Sequence, residues 1–143
     1  MERLVEDVAR GNVTEVKVVL ASVVFALAVY QLVLIAVGYG KVRPGFLAAR
    51  PAAMAHRASG DAIVVLVAVI ATMCVSYFGF EAEDGKTLHV VAAIALLVVL
   101  ALKIAVVRWW HGLGRFLPFL GITVFALIGL TWASSAGDFL AGT

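Results

Sequence analysis

Four apolar runs fill most of this chain, at residues 18–37, 62–80, 88–107 and 116–136. A helix rises ~1.5 Å per residue, so ~20 apolar residues cover the ~30 Å hydrocarbon core of a bilayer. Inside lipid every backbone N–H and C=O needs an internal partner, which restricts an isolated apolar run to a helix. The chain has 143 residues, 64% hydrophobic and 14% charged. A water-soluble domain of this length does not enclose so much apolar surface. The expected fold is therefore an all-α integral membrane four-helix bundle, running up-down-up-down as a single domain. Its spans are predicted near 15–37, 52–80, 87–110 and 116–136.

Local signals set the ends of these helices. Asn12 and Glu15 have the spacing of a capping box, which starts the first helix. Gly38-Tyr39-Gly40 ends it. Residues 41–50 form a basic loop broken by Pro44-Gly45, and Pro51 suits the first turn of the second helix. His56 then falls on a helix rather than in a loop. An acidic turn at 81–86 precedes the third helix, which is expected to run to Trp110 or His111 before Gly112 and Gly114 break it. Pro118 opens the fourth. Trp109, Trp110 and Trp132 lie near span ends, where indole favours the membrane interface. The one cysteine, Cys74, excludes an intrachain disulfide, and no Cys-x-x-Cys-His is present for covalent haem attachment. The first run is longer than a signal-peptide core and the leader before it carries four acids, so it reads as a permanent helix.

Antiparallel crossings divide the loops between two sides. Side A takes the 41–57 and 108–115 segments and the adjoining Lys103 and Asp61, which gives seven bases and a single acid. Side B takes both termini and the 81–86 turn, with four bases and eight acids. Basic loops stay in the cytoplasm, so both termini are predicted to be extracytoplasmic in a multi-pass protein of the cell membrane. The net charge of +2 follows from this topology and gives no sign of nucleic-acid binding. Hydrolytic chemistry lacks its motifs: there is no nucleophile elbow, no His-Glu-x-x-His and no carboxylate cluster within the spans.

Ionisable groups within a span are expensive, so the few present carry most of the functional signal. His56 and His111 fall on side A of the second and third helices. Two imidazoles at one depth on neighbouring helices are the arrangement that holds a b-type haem. Gly60 lies one turn after His56, where a flat macrocycle would cross the helix, and Gly121 makes similar room on the fourth. The same glycines read equally as small residues that let helices approach, and span-end histidines as solvated interfacial groups. On a continuous third helix His89, Lys103 and His111, at offsets of 14 and 22 residues, share one face within ~40°. His89 stands ~33 Å from His111, on side B, too far to share its iron. It reads as an interfacial residue, as part of a quinol site, or as a second haem ligand with Met73. Asp61 and Lys103 lie ~7 and ~12 Å inward of the two side A histidines. They form a buried pair, or Lys103 snorkels while Asp61 meets Arg57, or Lys103 and Arg57 hold haem propionates.

His56-Arg57-Ala58-Ser59-Gly60 resembles the His-Arg-x-x-Gly opening of haem-bearing helices in bacterial membrane-bound cytochromes b and ferric-reductase-like domains. The resemblance covers about residues 55–136. It implies a helical bundle that ligates haem b and passes electrons to or from quinone or a partner protein. The chain has three histidines, whereas dihaem members use two histidine pairs, so one bis-histidine haem is the most it can hold.

Two functional expectations follow. The first is a haem-binding electron-transfer protein or membrane anchor of a redox complex, with His56 and His111 as axial ligands and Gly60, Arg57 and Lys103 around the ring. The second is a haem-free accessory subunit or small transporter with a buried Asp61–Lys103 pair. Expected partners are the lipid bilayer, a quinone or redox protein, and a second copy of the chain.

Overall fold

The computed structural model describes residues 3, 13–38, 49–78 and 86–142. Four long helices cross in sequence: α1 (Val13–Gly38), α2 (Ala49–Phe78), α3 (Thr87–Arg108) and α4 (Leu117–Trp132). A 3-10 helix, His111–Phe116, joins α3 to α4. After α4 the chain widens into a π-turn, Ala133–Gly137, and ends in the short helix α5 (Asp138–Ala141). All four crossings are long and apolar enough to span a membrane. The protein is an all-α, multi-pass membrane bundle.

The helix ends depart from expectation in two places. α3 stops at Arg108 rather than continuing to Trp110 or His111. Trp109 and Trp110 both donate their backbone N–H to the Ala105 carbonyl, at 2.8 and 3.0 Å. Two amides on one acceptor halt the α-helical register, and Gly112 and Gly114 supply no propensity to restart it. His111 therefore leaves the α3 stripe that carries His89 and Lys103. At the other end, the fourth span becomes a π-turn at Ala133, one residue after Trp132. Pro118 sits in the first turn of α4 as expected, where its missing N–H has no helical partner to lose. The capping position Asn12 and the 41–48 and 79–85 segments lie outside the described residues.

Packing runs α2–α1–α4–α3, while α2 and α3 make no extended contact with each other among the described residues. The core is one central layer to which each helix gives an i,i+4 pair: Val24 and Ala28, Ile63 and Val67, Leu96 and Leu100, Val124 and Ile128. That spacing puts both members of a pair on one helix face. Smaller clusters close the two ends: Leu34 and Val37 with Ala52 on side A, Val13 with Met73 on side B. Val19, Val65 and Val98 face outward, as lipid-facing residues must.

Candidate functional site: two opposed cavities

On side A, the second half of α1, the first half of α2, the last turns of α3 and the first half of α4 enclose a cavity of about 930 Å³. His56, Arg57, Gly60 and Asp61 line it from α2, and Lys103 and Arg108 from α3. The four α2 residues follow from a helix already formed by Ala49, which carries His56 in its second turn. Gln31 in α1 holds this turn in place. Its side-chain amide donates to the His56 carbonyl and to the Ser59 hydroxyl, both at 2.6 Å. Ser59 donates in turn to the Ala55 carbonyl. Gln31 is only 8% exposed and makes these part-buried bonds at the cavity wall.

The residues singled out from sequence fall unequally around this cavity. His56, Arg57, Gly60, Asp61 and Lys103 come together there. The ring Nδ1 of His56 is enclosed and has no hydrogen-bond partner. An unsatisfied buried nitrogen of this kind costs about 1–3 kcal/mol, which a bound group could offset. His111 is exposed on the 3-10 helix and does not line the cavity. Asp61 and Lys103 share the cavity, but no ion pair joins them. Above Gly60, a Cβ would lie 3.5 Å from the Gln31 amide nitrogen, so this glycine serves the α1–α2 approach as well as the cavity wall. At Gly121 a Cβ would meet nothing within 4 Å, which leaves that wall open.

A haem tied by two histidines needs both imidazoles to face one space, and the cavity presents His56 alone. That pairing does not fit. His56 instead shares the cavity with the three bases Arg57, Lys103 and Arg108. Among the described residues no group of three or more His, Cys, Asp or Glu is placed to hold a bare metal ion.

A second cavity, of about 340 Å³, opens on side B. Lys17, Cys74, Lys86, His89, Thr131 and Ser135 supply its polar lining. The π-turn shapes it: the wider turn directs Ser134 to His89 and leaves Ser135 at the cavity wall. His89 Nδ1 lies 3.1 Å from the Ser134 hydroxyl, whose own proton points to the Thr131 carbonyl at 3.3 Å. Trp132 donates to Ser22 at 3.0 Å and stacks on Phe25, tying α4 to α1. Met73 does not join His89; it is buried against Val13.

The two cavities approach each other from opposite ends of the bundle. Ile128, 3% exposed, forms part of the wall of both. On the other helices the linings are separated by about one turn: Val24 belongs to the side B cavity and Ala28 to the side A cavity, as do Val67 and Val64, and Leu97 and Leu100. A four-residue step is ~6 Å of helix. Gln31 and the π-turn serines were missed from sequence, although an amide in an apolar run and a Ser-Ser pair at a span end are both polar groups that lipid disfavours. Ile128 carried no signal at all.

The chain belongs to DUF6529, a family of unknown function, whose model matches residues 4–143. No curated protein and no solved structure matches it.

Proposed function

We propose that this chain is a small membrane transport protein that moves its substrate between the side A and side B cavities, through the middle of the bundle. The observation that carries this reading is the shared wall at Ile128. A bilayer presents ~30 Å of low-dielectric barrier to a charge. In this bundle space with a few charged and polar groups on mostly apolar walls reaches inward from each end, and about one helical turn of apolar side chains separates the two cavities. A bundle built only as a structural anchor has no need of cavities at both ends. The excess of bases on side A supports a cytoplasmic side A with both termini outside.

Solvent access tests the reading directly. In a Cys74→Ser background, Gly60→Cys and Ala93→Cys should each react with a membrane-impermeant thiol reagent, from opposite faces of the vesicle. Failure of both positions to react in a folded protein would mean that the cavities do not open to water, and the reading falls.

A second reading is favoured by the meeting of His56 with Arg57 and Lys103 around one space: a haem b bound in the side A cavity through this histidine. The group would supply one-electron chemistry. The chain would supply the proximal imidazole and, from Arg57 and Lys103, the counter-charge for its carboxylates. A pyridine haemochrome assay on detergent-purified protein decides it, since absence of the haem band after expression with a haem precursor rules it out.

A further inference from the structure

We propose that the transported substrate is a small inorganic anion of chloride size, and that Ile128 is the hydrophobic gate in its path. The inference rests on the transport reading and adds the substrate class and the gate. Three features of the two cavities support it.

The first is charge. Arg57, Lys103 and Arg108 line the side A cavity against the single carboxylate Asp61. Lys17 and Lys86 line the side B cavity, and each has an interaction partner of its own. Basic groups on low-dielectric walls focus a positive potential, which concentrates anions and repels cations. Rings of Arg and Lys are the usual lining of anion pores.

The second is the position of Lys103. It is half-buried, whereas Asp61 is exposed, so of the two charges the ammonium is the one more withdrawn from solvent. It lies three residues from Leu100 of the central layer and makes no hydrogen bond or ion pair among the described residues. An ammonium held this deep without a partner is expensive, and an anion arriving at the throat would offset that expense.

The third is the throat. The central layer is wholly aliphatic, and Ile128 is its one member that borders both cavities. A constriction lined only by such side chains excludes water when narrow and conducts once widened or made polar. No carboxylate stands in the layer to carry protons across it.

The test uses purified protein in liposomes under a KCl gradient, with flux and reversal potential measured for wild type, Ile128→Ser and Ile128→Ala. Chloride flux should rise roughly tenfold or more in Ile128→Ser, because a hydroxyl wets the throat. The rise should be smaller in Ile128→Ala, and the reversal potential should sit near the chloride equilibrium value. Adding Lys103→Gln to Ile128→Ser should lower chloride flux several-fold. Reversal near the potassium value would overturn the anion assignment and leave the transport reading standing. A tenfold rise that Lys103→Gln does not reduce would overturn the role of Lys103 in selecting the anion. Flux equal to that of protein-free vesicles in all three proteins, with helicity and elution unchanged, would overturn both the inference and the transport reading. Should neither variant fold, the reversal potential of wild type decides between the ions.

Discussion

Gln31 donates its side-chain amide to the Ser59 hydroxyl at 2.6 Å, and through this bond α1 holds the α2 turn on which His56 stands. Ser59 is satisfied from both directions, because it passes its own proton to the Ala55 carbonyl. Gln31 also reaches the His56 carbonyl, so one side chain fixes the entrance of the side A cavity. Gln31→Leu should destabilise the protein by about 1 kcal/mol, the usual size of an interhelical hydrogen bond in a membrane. The loss stays modest because Ser59 keeps its bond to Ala55. Equilibrium unfolding in mixed micelles measures it, and unchanged stability would show that the amide does not clamp the two helices.

Gly121 offers a way to fill the side A cavity without straining the fold. A Cβ there meets no atom within 4 Å, and glycine within a helix is itself unfavourable by about 1 kcal/mol relative to alanine. Gly121→Leu should therefore fold at least as stably as wild type while its side chain enters the cavity. Thiol labelling at Gly60→Cys should then slow markedly. Labelling at the unaltered rate would mean that the two glycines do not face the same space.

Asp61 and Lys103 provide a third test. They line one cavity without an ion pair between them, so neither depends on the other for its neutralisation. The stability effects of Asp61→Asn and Lys103→Met should add to within about 0.5 kcal/mol in the double variant. A coupling energy well above this would mean that the two charges pair in the membrane.

The distribution of bases predicts an orientation in the membrane. Single cysteines at Arg43→Cys and Arg115→Cys, in a Cys74→Ser background, should react with an impermeant reagent only after the cytoplasmic face is opened. Labelling of either in intact cells would reverse the assignment, and with it the side from which each cavity fills.

The fold was legible because lipid imposes a single rule. A run of about 20 apolar residues has one way to satisfy its backbone, so all four helices could be read from composition along the chain. Pro118 marked the start of α4 for an equally local reason. The end of α3 was less legible. Gly112 and Gly114 announced a break but not its position, which depends on two tryptophan amides converging on the Ala105 carbonyl. That shift of three residues decides the fate of His111, which was expected on the helix and is found exposed beyond it.

The number of the helices, their approximate places in the chain, the more basic side and the rarity of polar groups within the spans were all determined by the sequence, since each depends on the transfer of one residue or one run between water and lipid. Which of those polar groups meet was decided only by the tertiary structure. His56, Arg57, Asp61 and Lys103 share a cavity because α2 and α3 stand apart while α1 and α4 join them, an arrangement no single helix encodes. His89 finds Ser134 because the chain widens into a π-turn 45 residues later. Ile128 separates the two cavities although nothing in its run of apolar neighbours distinguishes it. Its position in the bundle is set by how four faces pack together, and packing in lipid discriminates among aliphatic side chains by shape rather than by polarity.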